Sequence, residues 1–146
     1  MPTYHCTTPA GLLDDMQKAA IAKAITRIHN EVTGAAGFFA QVIFQEISKG
    51  HHFMGGEPLL LDQIFVHGFI RAGRSVVDRR RLVTELVACL GKLANLPTRL
   101  IWVYIVEIPA SQMAEYGHIL PEPGDEAKWM DSFPQQDRAF MQSIGG

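Results

Sequence analysis

The chemistry legible in this chain begins at its second residue. Pro2 stands directly behind the initiator methionine, in Met1-Pro2-Thr3-Tyr4. Removal of Met1, which a small ring beside the start permits, exposes a secondary amine, the only one the common amino acids supply. An α-amino group titrates at about 7.7–8.0, so such an amine can hold or release a proton near neutral pH. A retained Met1 leaves Pro2 an amide, which can be neither acid, base nor nucleophile. The residue also suits the start of an edge strand, where its missing N–H costs nothing.

Four further sites carry reactive side chains. Arg71-Ala72-Gly73-Arg74 lies between a strand end and a capped helix start. Two guanidinium groups with a helix N-terminus behind them suit a small anion such as a carboxylate, and Gly73 allows the sharp turn between them. The local alternative is a solvated basic patch, as with Arg79-Arg80-Arg81 one turn later. His29 sits at the margin of a helical apolar stripe and reads as either a half-buried structural histidine or a catalytic one. Tyr104 interrupts a Leu/Ile/Val strand, so its hydroxyl needs a partner or a pocket. Glu115, in a short helix expected over Ser111 to Tyr116, is either a solvated carboxylate or a base whose pKa is raised by apolar neighbours. The remaining histidines (His5, His51, His52, His67, His118) show no ligand-like spacing, and no metal site is expected. Phosphate-binding, dinucleotide and nucleophile-elbow motifs are missing from the sequence.

The elements that must position these residues run strand, helix, strand, twice over. Pro2 to Thr8 reads as a strand. Asp14 or Asp15 caps a helix with the stripe Ile21, Ala24, Ile25, Ile28 and Val32, stopped by Gly34. Phe38 to Ile47 is a strand and Lys49 to Pro58 a loop. Ile64 to Ile70 opens the second half. Ser75 with Asp78 then caps a helix carrying Leu82, Leu86, Leu90 and Leu93. Leu100 to Ile108 is the last strand, ahead of a Pro-rich tail.

Val42, Glu46 and Ile47 recur as Val103, Glu107 and Ile108, 61 positions on, and the same shift takes Ile25 to Leu86 and Pro2 to Gln63. The pattern predicts a single domain over residues 1–146, with pseudo-repeats at about 2–60 and 61–120 and a tail at 121–146. Its fold class is α/β (α+β). Two right-handed β-α-β units form a four-stranded mixed sheet with both helices on one face. Near-continuous apolar strands want burial on both faces, so self-association into a symmetric homo-oligomer is expected, with cover by the tail as the alternative.

Composition narrows the function. At 47% apolar and 19% charged residues the chain is globular rather than disordered. A net charge of −2 offers no electrostatic basis for nucleic acid or acidic membranes. Neither a membrane span nor a signal peptide is legible, and a cytoplasmic location is expected. Cys6 and Cys89 sit in apolar runs without zinc spacing and read as free thiols, a disulfide having no positive support.

Taken together, these residues resemble the tautomerase superfamily, and most closely the cis-3-chloroacrylic acid dehalogenase family, from Pro2 to about Phe140. The stretches that carry the resemblance are Ala22-Lys23-Ala24-Ile25-Thr26, Ala40-Gln41-Val42, Ile64-Phe65-Val66-His67-Gly68, Gly73-Arg74-Ser75, Ile101-Trp102-Val103-Tyr104, Glu115-Tyr116-Gly117 and Leu120-Pro121-Glu122-Pro123-Gly124. The resemblance implies a homotrimer with no cofactor, acting on a small unsaturated carboxylate. In the implied hydratase/dehalogenase, Arg71 and Arg74, helped by His29, bind the carboxylate. Glu115, held with Tyr104, activates water, and protonated Pro2 gives a proton to C2. A keto–enol tautomerase with Pro2 as base, and a non-catalytic binding module of the same fold, are the alternatives. The small apolar loop Thr33-Gly34-Ala35-Ala36-Gly37-Phe38-Phe39, with Phe39 narrowing the pocket, fits a hydratase-type site better than a dedicated dehalogenase.

Overall fold

The computed structural model describes residues 2–35 and 40–144. The expected strand start at Phe38 and the pocket role of Phe39 lie outside the described residues, as does Met1. Strand β1 (Thr3–Pro9) leads to helix α1 (Asp15–Thr33) and strand β2 (Gln41–Ile47). Two short strands follow, β3 (Phe53–Met54) and β4 (Glu57–Pro58), where the sequence suggests only a loop. Then come β5 (Ile64–Arg71), α2 (Val76–Ala94) and β6 (Ile101–Ile108).

The four long strands form one sheet in the order β2-β1-β5-β6. β1 pairs parallel with β2 and β5 parallel with β6, while β1 and β5 run antiparallel. This is the mixed sheet of two β-α-β units that the element order predicts.

The helices start and stop for identifiable reasons. Asp14 caps α1 through a reciprocal capping box with Gln17, and Gly34 ends it in the left-handed conformation. Ser75 accepts the amide of Asp78 at the start of α2, and Asn95 ends that helix with φ 54°. The caps of the two helices stand 61 positions apart. The second strands keep that shift, from Gln41 to Trp102, but the first strands do not: Thr3 pairs with Gln41, and Phe65 with Trp102. Thr3 therefore corresponds to Phe65 and Pro2 to Ile64, not to Gln63. Side chains alternate faces along a strand, so a one-residue change of offset decides which set meets the core.

The core lies between the sheet and the two helices, with Tyr4, Cys6, Val66 and Ile70 packed against Ile21, Ile25, Leu82 and Leu86. Tyr4 lies opposite Gly68, and a Cβ at Gly68 would come within 2.6 Å of the Tyr4 ring and 2.7 Å of Ile105. The opposite face of the sheet leaves Ile43, Trp102, Tyr104 and Val106 exposed.

Past β6 the structure corrects two expectations. The short helix over Ser111 to Tyr116 is instead a 3-10 turn (Ala110–Gln112) and a hairpin of β7 (Ala114–Glu115) and β8 (His118–Ile119). Tyr116 and Gly117 form its two-residue loop with φ 53° and 83°, the positive pair that such a tight hairpin requires. The tail folds into α3 (Glu126–Asp131) and α4 (Gln135–Ser143), and Phe133 and Met141 build a second small core with Ala110 and Leu120. Phe140 and Ile144 of the tail share an open cavity with Thr3 and Phe69 at one end of the sheet.

Gly68→Ala should lower stability by about 1–3 kcal/mol, because the added methyl overlaps a fully buried ring. Urea titration should show a lower midpoint with an unchanged m-value; an unchanged midpoint would disprove this packing.

Candidate active site

One edge of the sheet collects the start of β1, the start of β2 and the ends of β5 and β6. Thr3 lies opposite Phe69, so the same register sets Pro2 opposite Ile70, next to Arg71. Pro2 is fully buried, and its carbonyl accepts the amide of Gln41 at 2.9 Å.

His29 is buried on α1, and its Nδ1 shares a hydrogen bond of 2.8 Å with the Tyr4 hydroxyl. Burial, reinforced by the Arg74 charge, lowers the imidazole pKa to about 3. Burial, followed by the nearby Cys6, pushes the Tyr4 phenol well above its usual value. Both rings are therefore neutral near pH 7. In the tautomer whose Nδ1 accepts from Tyr4, Nε2–H is left as a neutral donor. Tyr4 was missed in the sequence, although strand alternation already puts a hydroxyl-bearing residue on the core face of β1.

Arg71 ends β5 and is 3% exposed. Its Nη1 donates to the Pro121 carbonyl at 2.7 Å, and its Nη2 forms an ion pair with Glu126. Nε is buried without a hydrogen-bond partner among the described residues. An orphaned buried donor costs about 1–3 kcal/mol, which a bound anion would relieve. Arg74 is half-buried and donates from Nη1 to the Thr33 carbonyl at 2.9 Å. The hydroxyl of Thr33 in turn donates to the His29 carbonyl at 2.7 Å, tying Arg74 to the end of α1. Burial and the neighbouring Arg71 charge lower the Arg74 pKa. Glu107 accepts the Arg74 amide at 3.2 Å and forms an ion pair with Arg79. Arg79, which reads as a solvated helix face in the sequence, thus props the turn between the arginines.

Glu115 is half-buried on β7 and helps to line an open cavity of about 810 Å3 with Thr3, Phe69, Ile108, Tyr116 and Phe140. Burial and the Glu115 charge raise the pKa of the Tyr116 phenol. The cavity is therefore built from the strand ends, the hairpin and α4. It adjoins Pro2 through Thr3 and does not take its lining from the arginine segment. Tyr104 is not drawn in. It is 54% exposed on β6, with its ring against Phe65 and Trp102, and it stands four residues from Ile108, roughly 13 Å along the strand. The expected Glu115–Tyr104 pairing is thus not made within one subunit.

Cys6 and Cys89 are free thiols. Among the described residues, no group of three or more His, Cys, Asp or Glu side chains is placed to hold a metal ion, and no helix is long and apolar enough to cross a membrane.

A mixed four-stranded sheet backed by two helices, with a proline at the start of its first strand, defines the tautomerase fold. The family model described as "Putative oxalocrotonate tautomerase enzyme" matches residues 1–132. The solved structure of a cis-3-chloroacrylic acid dehalogenase family member is 32% identical, covers 97% of this chain and 99% of its own, and superposes with a TM-score of 0.92. The chain belongs to the tautomerase superfamily and, within it, to the cis-3-chloroacrylic acid dehalogenase family. Two fused 4-OT structures share the fold. A native one is 23% identical over 80% of this chain and 94% of its own, with a TM-score of 0.74. The other, an asymmetric trimer, is 19% identical over the same shares, with a TM-score of 0.73. Among curated proteins none matches the sequence.

Since an unfolded histidine titrates near 6.5 and His29 only near 3, the unfolded chain binds the extra proton between those values. Stability should therefore fall as pH drops from about 6.5 toward 3, with a slope approaching about 1.4 kcal/mol per pH unit from this group. His29→Leu, which copies Leu90 at the matching place on α2, should remove that component in urea titrations across the range. An identical acid profile in wild type and variant would refute a neutral buried imidazole.

Proposed function

We propose that the protein is a cofactor-independent hydratase of small unsaturated carboxylates that dehalogenates cis-3-haloacrylates. The observation that supports this reading is that buried Pro2 starts β1 at the sheet end where β5 finishes in Arg71, while Thr3, the next residue of β1, lines one cavity with Glu115. Arg74 and Arg71, with the neutral N–H of His29, hold the carboxylate and draw electron density away from C3. Glu115 takes a proton from water as the oxygen bonds to C3, and the Pro2 ammonium gives its proton to C2. The resulting chlorohydrin loses chloride as its C–Cl bond breaks. The hydroxyl proton leaves with it, and malonate semialdehyde remains. This chemistry needs Met1 removed, so that Pro2 carries an amine.

Tyr104 enters through assembly. It is too far along β6 to meet Glu115 in its own subunit, and it belongs to an exposed patch with Trp102 and Val106. Packing those faces together in a homotrimer would bring Tyr104 to a neighbouring subunit's site, and one fused 4-OT structure of this fold is an asymmetric trimer.

Full burial of Pro2 favours a second reading. A desolvated amine prefers its neutral form, which suits a keto–enol tautomerase with Pro2 as base. The two differ in the state of Pro2 at pH 7: protonated for hydration, neutral for tautomerisation.

Protein confirmed by intact mass to start at Pro2 should convert cis-3-chloroacrylate to malonate semialdehyde in proton NMR. Pro2→Ala and Glu115→Gln should each lower kcat by about 10²–10⁴-fold. No turnover by wild type would reject the dehalogenase reading and favour the tautomerase. Sedimentation equilibrium should return three times the chain mass, and a monomer would exclude the proposed role of Tyr104.

A further inference from the structure

The two arginines of the anion end are not equivalent. Arg71 is buried, and its charge is met by Glu126 of α3. The second carboxylate oxygen of Glu126 accepts the Gly124 amide at 2.9 Å, which fixes its direction. Burial works against the ionised carboxylate, yet the Arg71 hydrogen bond and the backbone donors hold its pKa below the usual range. Glu107 is likewise matched by Arg79, and Asp78 is bonded to Ser75. Arg74 donates to the neutral Thr33 carbonyl, and no carboxylate among the described residues forms an ion pair with its guanidinium. Arg74 is thus the arginine with no direct carboxylate partner among the described residues, although the charges of Glu126, Asp78 and Glu107 reach it, and Arg71 adds an unpartnered buried Nε–H.

We propose that Glu126 is a specificity-determining residue that sets this site for monocarboxylates. By neutralising Arg71 it leaves Arg74 as the single ionic anchor and turns Arg71 into an oriented hydrogen-bond donor. Without that carboxylate the site presents two full positive charges, the complement of a dicarboxylate. The inference rests on reading this edge as a carboxylate site, but not on which reaction follows binding.

Calorimetric binding of acrylate and of maleate to the full-length protein tests it. Wild type should prefer acrylate. Glu126→Gln should move the maleate-to-acrylate affinity ratio by about tenfold toward maleate, and Glu126→Asp should restore the wild-type ratio. An unchanged ratio in folded Glu126→Gln would overturn the proposal, as would binding of neither anion by any of these proteins. Removing one partner of a buried pair can itself unfold a protein. The double variant Arg71→Gln/Glu126→Gln therefore gives an independent arm. It should weaken acrylate binding through loss of the Arg71 donor yet keep the preference for acrylate over maleate, whereas Arg74→Gln should abolish acrylate binding. Equal loss of acrylate binding in both would reject Arg74 as the single anchor. Turnover of cis-3-chloroacrylate on the same samples separates the two readings. A shifted ratio without turnover removes the dehalogenase reading and leaves this one standing. Turnover with an unshifted ratio does the reverse.

Discussion

The two β-α-β halves meet in one antiparallel seam, β1 against β5, and that seam determines which strand ends share an edge. Because the strands run in opposite directions, the first residues of β1 lie beside the last residues of β5. Pro2 and Ile70, far apart in sequence, come opposite each other for this reason alone, with Arg71 the next residue along β5. The seam is closed by a tyrosine laid over a glycine, Tyr4 on Gly68, and the same tyrosine holds His29 by its hydroxyl. Core packing and site geometry thus share one side chain.

A buried guanidinium is the second constraint. Removing Arg71 from water is costly unless its charge is paired and its donors are met. Both partners, the Pro121 carbonyl and Glu126, come from the segment after β8. That segment has its own small core around Phe133 and Met141, and it also supplies Phe140 to the cavity that Glu115 lines. The C-terminal helices therefore belong to the site as much as the strands do. The open sheet face beyond them, with Trp102 and Tyr104, is left for a neighbouring subunit in the proposed assembly.

Legibility in the sequence followed the strength of local signals. Both long helices could be placed almost to the residue, because Asp14 and Ser75 are strong N-caps and the apolar stripes repeat at helical spacing. The β7–β8 hairpin was misread as a helix because its loop holds Tyr116 at positive φ, where a reader expects asparagine or glycine. The tail helices were missed because α3 is only six residues long and neither helix has a side-chain N-cap. The offset of the first strands was mistaken by one residue, since the helices and the second strands repeat at 61 positions and the first strands at 62. An alternating pattern with apolar residues on both faces does not reveal that difference.

By itself the sequence determined the element order, the helix ends, the fold class and the set of reactive residue types, all of which depend on nearest-neighbour chemistry. It also carried enough family likeness to bring Pro2, His29, Arg71, Arg74, Tyr104 and Glu115 into one argument. Tertiary structure decided how those residues differ. Burial makes His29 a neutral ring on Tyr4, the tail pairs directly with Arg71 and not with Arg74, and strand geometry keeps Tyr104 away from Glu115 in one subunit. These are consequences of desolvation and of contacts between residues distant in sequence, which the local pattern of a chain does not encode.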